Sequence, residues 1–206
     1  RGRGDVYKRQ ALRFYVMGPR GADHEEVPTD HEVEQMSALL EESLHAGALG
    51  FTTSRTTKHR AADGRVTPSL SSGEKELLGL ASAMKRAGKG VIEVNSDFGE
   101  GEFEALRTAA EVSGRPLSCL IVQVRNAPEL WRETMANVRD ARDAGINCNS
   151  QVHVRGIGMV MGLETTLNPF RNHPAWQALD HLSPEARATR LLQDSELRNI
   201  LTTQIP

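Results

Sequence analysis

The sequence predicts an α/β fold on parallel strands, and three observations carry that expectation. Helical stretches that end in glycine alternate with short apolar strands. The turns from helix to strand are short, whereas the loops from strand to helix are long and polar. Alternation of this kind places helices over a parallel sheet. Pattern alone leaves a barrel and an open, doubly wound sheet equally allowed.

The elements follow in order. Residues Arg1–Gln10 show neither helical nor strand periodicity and are expected to be a non-native, unstructured leader. Ala11–Gly18 is an apolar run that reads as a buried strand. Thr29 and Glu32 form a capping-box pair, in which each side chain satisfies an orphaned backbone N–H at a helix start. Val33, Met36, Leu39, Leu40 and Leu44 then make one apolar stripe, and Gly47 ends the helix. Ala48–Thr53 reads as a strand. Ser71 and Glu74 repeat the capping pattern before Leu77, Leu78, Leu80, Ala81 and Met84, with Lys85 and Arg86 at the negative helix end and Gly88 as the stop. Val91–Val94 is the next strand. A third helix runs from about Gly101 to Gly114 and leads into a strand at Pro116–Val122. A fourth is expected to start at Pro128, a favourable first helical residue, and to end at Gly145 before a strand at Ile146–Val152. The four stop glycines are 41, 26 and 31 positions apart, too irregular for a solenoid. Beyond Gly156 the rhythm breaks into a Gly- and Met-rich stretch, the turn-prone Asn168–Pro174 and two short helices, the second capped by Ser183 before Pro184. Asp194–Ile205 reads as the start of a further unit.

Composition narrows the function. The 206 residues carry 25 Lys+Arg against 27 Asp+Glu, a formal charge of −2. That balance excludes the basic excess typical of a nucleic-acid or membrane-surface binder. No apolar run approaches the length needed to span a bilayer. Two cysteines, Cys119 and Cys148, cannot build a disulfide framework and are read as buried small hydrophobes in a reducing, cytoplasmic setting. The Gly156, Gly158, Gly162 series misses the dinucleotide fingerprint, no Walker lysine is present, and no Gly-x-Ser-x-Gly elbow occurs. Seven histidines form neither His-x-His nor His-Glu-x-x-His, so spacing supplies no metal ligand.

Polar residues at the strand ends remain, because sites form at the C-terminal ends of parallel strands. Asn95 and Asp97 close one strand, Gln123 and Arg125 the next, and Gln151 and Arg155 the last. Arg55 and His59 lie in the long loop after Thr53. A rim of amides and arginines suits a small substrate with carboxylate and amide groups.

Several strings taken together resemble N-acyl-D-amino-acid deacylases (D-aminoacylases) of the amidohydrolase superfamily: Ala11–Gly18, Gly47–Thr56 with His59, Glu129–Arg132 after Gly114-Arg115-Pro116, and Gln151-Val-x-x-Arg155 followed by Asn168–Phe170. The resemblance implies an internal fragment, residues 11–206, of a TIM (β/α) barrel with about four to five βα units, incomplete at both ends; a complete barrel needs roughly 250 residues. It further implies hydrolysis of a non-peptide C–N bond of an N-acyl-D-amino acid-like small molecule. Zinc is expected for the full-length parent and not for this fragment, because the family's His-x-His pair would lie upstream of Ala11 and its catalytic aspartate downstream of Pro206. The places where the better-known deacylases carry two metal-binding histidines correspond to Asn95–Asp97 and Gln123. Arg155, Gln151, Gln123, Asn95, Asp97, Arg55 and His59 are the expected substrate-binding residues, with Arg155 on the carboxylate. The isolated fragment is expected to be inactive. The alternative is a non-catalytic α/β domain that binds a small ligand or a partner.

Overall fold

The computed structural model describes residues 7–61, 64–70, 73–124, 127–156, 158, 160–165 and 168–204. They divide into two compact units, the larger running to Arg155 and the smaller comprising residues 62–64 and 156–206.

The larger unit holds one five-stranded sheet. Its strands are β1 (Tyr7–Lys8), β2 (Gly50–Arg55), β3 (Val91–Ser96), β4 (Leu117–Leu120) and β5 (Cys148–Gln151). Every pairing is parallel, and the strands lie in chain order. In that order the sheet has no point at which the strand sequence reverses. A doubly wound sheet reverses its strand order at a switch point. A sheet that adds each strand beside the last, through right-handed crossovers, puts all its helices on one face.

The helices are α1 (Arg9–Met17), α2 (Asp30–His45), α3 (Glu74–Ala87), α4 (Glu102–Ser113) and α5 (Leu130–Asp143). Phe51, Ile92, Val94, Leu117, Cys119 and Cys148 point to the helix side and form one core with Leu40, Leu80, Leu106 and Val138. The register pairs Phe51 with Ile92, Ile92 with Leu117, and Leu117 with Cys148. Both cysteines are free and buried. Strand alternation turns Thr52, Ser54, Glu93, Asn95, Ser118 and Gln151 to the opposite face.

Local chemistry sets the helix ends. The Thr29–Glu32 box is complete: Glu32 N–H donates to Thr29 Oγ1 (3.2 Å) and Thr29 N–H to Glu32 Oε2 (2.7 Å). Gly88 and Gly114 end α3 and α4 at φ +69° and +61°, in the left-handed region glycine enters without steric cost. At Gly50 the reason is space: an added Cβ would come within 2.1 Å of the Val91 carbonyl oxygen on the neighbouring strand.

Three expectations are corrected. Ala11–Gly18 is helical, not a strand. Arg9, Leu12, Arg13 and Met17 recur at helical spacing and are buried, while Phe14 and Tyr15 face solvent. The stretch expected to be an unstructured leader contributes Tyr7–Lys8 to β1 and Arg9–Gln10 to α1; Arg1–Val6 lie outside the described residues. The fourth helix starts at Leu130, with Pro128 in the preceding turn, where its carbonyl accepts from Gln123 Nε2 (3.3 Å). The Ser71 cap lies outside the described residues; α3 begins after Gly73.

A buried ion cluster ties α1 to α3. Glu76 Oε1 accepts from Arg9 Nε at 2.6 Å and Glu76 Oε2 from Arg13 Nη1, all three side chains being at most 1% exposed. Arg9 also reaches Thr53 Oγ1 on β2 (3.4 Å).

The smaller unit contains α6 (Pro174–Gln177), α7 (Pro184–Gln193) and α8 (Ser195–Thr203), packed on Trp176, Leu179 and Leu201. Ser183 caps α7 as its sequence predicts, and His173 caps α6 by accepting from Ala175 N–H (3.1 Å). No helix among the described residues is long and apolar enough to cross a membrane.

Candidate active site at the strand ends

The C-terminal ends of β2 and β3 bring three polar side chains together. Ser54 and Asn95 are register partners on the face away from the helices. The loop after β2 turns back through an antiparallel bridge between Arg60 and Val66 and carries His59 over both. His59 Nδ1 lies 2.5 Å from Ser54 Oγ, and Asn95 Nδ2 lies 3.4 Å from His59 Nε2. With the Asn95 amide donating to Nε2, the ring proton sits on Nδ1 and Ser54 Oγ accepts it. An imidazole held at both nitrogens has a fixed orientation, and imidazole is a side chain suited to moving protons.

Further along the same face, Gln151 Nε2 donates to Ser118 Oγ at 2.7 Å, and Leu120 is the register partner of both Asn95 and Gln151. Glu93 completes the polar row. Ser54, Glu93 and Ser118 are not among the residues the sequence singles out; Glu93 lies two before Asn95 on β3, and the register with β3 brings Ser54 opposite Asn95 and Ser118 opposite Glu93.

The other expected site residues go elsewhere. Arg55 has the parity of Phe51 and Thr53, so it turns to the helix side and its Nε lies 2.5 Å from Glu102 Oε1. Asp97 is occupied by the loop after β2. Its carboxylate accepts from Thr56 Oγ1 (2.7 Å), Thr57 N–H (2.8 Å), Thr57 Oγ1 (3.0 Å) and Lys58 Nζ (3.1 Å). Burial alone pushes its pKa up, but the Thr57 N–H and the Thr56, Lys58 and Thr57 side chains together outweigh that and hold it below the ordinary aspartate value. Asp97 thus pins the loop that carries His59. Gln123 is exposed and bonded to the Pro128 carbonyl. His153 and Arg155 are exposed and follow the end of β5, rather than extending the strand. Arg125 lies outside the described residues.

The donor set on this face is the His59 imidazole, the Asn95, Asn149 and Gln151 amides, the Thr52, Ser54 and Ser118 hydroxyls and Glu93. No group of three His, Cys, Asp or Glu converges among the described residues. That set does not fit a zinc ion, whose sites use three or four such ligands at about 2.0–2.3 Å.

No family model matches the chain, and no curated protein matches it. Solved structures of D-aminoacylase resemble it. One is described as defining a novel subset of amidohydrolases, and another is an aspartate-to-alanine variant in complex with copper chloride. Each aligns with a TM-score of 0.53 at 20% identity, covering 69% of this chain and 28% of the D-aminoacylase chain. At that identity the likeness is one of fold. The chain spans little more than a quarter of the length of the proteins it resembles.

Proposed function

We propose that this chain is part of the barrel of an amidohydrolase that cleaves a non-peptide C–N bond, with N-acyl-D-amino acids as its substrate class. The observation that carries the reading is the singly wound parallel sheet with all its helices on one face and a polar row on the other. A barrel puts such a row inside and its active site at the strand C-termini. The fold likeness to D-aminoacylase, described as an amidohydrolase, supports the same reading.

In this reading Arg155, on the exposed segment after β5, grips the substrate carboxylate, Gln151 meets the amide, and His59 moves a proton at the strand ends, oriented by Ser54 and Asn95, while Gln123 stays with the Pro128 carbonyl. Arg55 and Asp97 shape the loops around it. Zinc, which the resemblance implies for a longer parent, takes its ligands from outside this donor set. A reducing, cytoplasmic setting suits the two free thiols.

The test compares the 206-residue chain with a longer protein that contains it, assayed for D-amino acid release from N-acetyl-D-amino acids and for zinc by elemental analysis. The expected result is turnover by the longer protein alone. One-to-one zinc together with turnover in the short chain would sink the assignment of the ligands elsewhere. Turnover by neither would favour the other reading, a non-catalytic ligand-binding domain, which the poor zinc donor set favours.

A further inference from the structure

Arg9, Arg13 and Glu76 bury two positive charges against one negative on the helix-facing side of β2, where Arg9 reaches Thr53. Guanidinium groups do not deprotonate inside proteins, so the cluster carries one uncompensated positive charge. The polar row of Ser54, Asn95 and Gln151 faces the other way.

The two guanidinium groups are satisfied very differently. Besides Glu76, Arg13 reaches the backbone carbonyls of Gly21 (3.5 Å), Asp23 (3.2 Å) and Glu26 (2.7 Å). Arg9 has only Glu76 Oε1 at 2.6 Å and Thr53 Oγ1 at 3.4 Å. Its Nη2 is a buried donor with no hydrogen-bond partner among the described residues, on a side chain that is 0% exposed. The excess charge therefore sits on Arg9.

Nothing nearby offsets it. Among the described residues, Glu76 is the carboxylate whose charge favours charged Arg9, whereas Arg13 and Arg55 oppose it. The Glu102 carboxylate is already on Arg55, at 2.5 Å. The adjoining loop adds a second donor and no acceptor. Gln10, next to Arg9, donates to Ser69 Oγ (3.3 Å), and Ser69 Oγ donates to the carbonyl of Ser54, next to Thr53. Thr67 Oγ1, two residues earlier in that loop, is also a buried atom without a partner.

Charge and burial together select a ligand. A buried charge is retained where an opposite charge compensates it, and one negative charge makes this cluster neutral. A cation with no exposed surface leaves no room for a polyatomic anion with a polar tail, and sulfate or phosphate would overcompensate. A monatomic anion meets both conditions. We infer that a chloride ion binds at Arg9 Nη2 as a structural counter-ion, tying α1 to β2 and α3. The site is independent of the amidohydrolase reading.

Bromide is the probe for location. A crystal of the chain soaked in sodium bromide should show an anomalous peak within hydrogen-bond reach of Arg9 Nη2. Chloride is the probe for energetics, through urea midpoints in sodium chloride and in sodium gluconate at equal ionic strength, gluconate being too large to enter. A Kd on the order of 10 mM would raise the wild-type midpoint by about 1 M at about 0.3 M chloride, and the rise should saturate. Arg9→Met leaves Arg13 and Glu76 as a neutral pair and should lose both the peak and the chloride response. Arg139→Gln, at an exposed arginine, should keep both. No bromide peak at Arg9, equal wild-type midpoints in the two salts, or an undiminished chloride response in Arg9→Met each overturns the proposal. Should Arg9→Met not fold, the bromide peak and the wild-type salt comparison decide it.

Discussion

Replacing Glu76 with glutamine should be among the most damaging single changes in the chain. The carboxylate is 1% exposed and holds two guanidinium groups that are themselves 0% exposed. Removing one partner from a buried ion pair leaves an uncompensated charge and costs about 3–5 kcal/mol; here two cations are left. The cluster is also unbalanced before any mutation, with two positive charges on one negative. Burial pushes the Arg9 pKa down more strongly than Glu76 raises it, and Arg9 Nη2 has no hydrogen-bond partner among the described residues. Arg9→Met should therefore cost much less than Glu76→Gln, because it leaves Arg13 and Glu76 as a neutral pair. Urea unfolding followed by far-UV circular dichroism measures both. With m of about 1–3 kcal/mol per molar urea, a loss of about 4 kcal/mol lowers the midpoint by about 2 M. A loss below about 1 kcal/mol for Glu76→Gln, or a larger loss for Arg9→Met, would refute the argument that Glu76 is the group compensating both charges.

Thr29→Ala removes the cap of α2 and should cost about 1 kcal/mol in the same assay. Gly50→Ala forces a Cβ against the Val91 carbonyl and should cost about 3 kcal/mol or prevent folding; wild-type stability in that variant would contradict the close approach of β2 and β3. Asp97 gives a pH dependence. Its folded-state pKa lies below the ordinary aspartate value of about 3.9, so its contribution is present above that value and is lost as pH falls through the depressed one. Asp97→Asn should thus be less stable than wild type at pH 7, and the gap should close under acid; a gap that is constant with pH would refute it.

Much of the α/β rhythm is legible because backbone chemistry announces it. The Thr29–Glu32 box and the stops at Gly88 and Gly114 fall where the structure has them. The first helix is not legible from hydropathy, since Leu12 to Met17 is apolar apart from Arg13 and such a run is ambiguous between strand and helix. What decides it is Glu76, a residue more than sixty positions away in sequence that captures Arg9 and Arg13 one helical turn apart. Strand order is a tertiary property that no local pattern contains. At the site, the strand ends lead to Asn95 and Gln151, which the register places on one face, and parity does the rest: Arg55 and Ser54 are neighbours on opposite faces, and only the register with β3 says which one meets His59. Asp97 has the right chemistry for a substrate mouth, and the hydroxyls and amide of Thr56 and Thr57 take it first.

Hydrolysis of N-acetyl-D-amino acids by a longer protein that contains this chain, measured for wild type, His59→Ala and Asn95→Ala, tests most directly whether the polar row is a substrate mouth. The account predicts D-amino acid release, with kcat/KM lowered about a hundredfold in His59→Ala and by a smaller factor in Asn95→Ala, which acts only through the ring it orients. Turnover that both substitutions leave unchanged would contradict it.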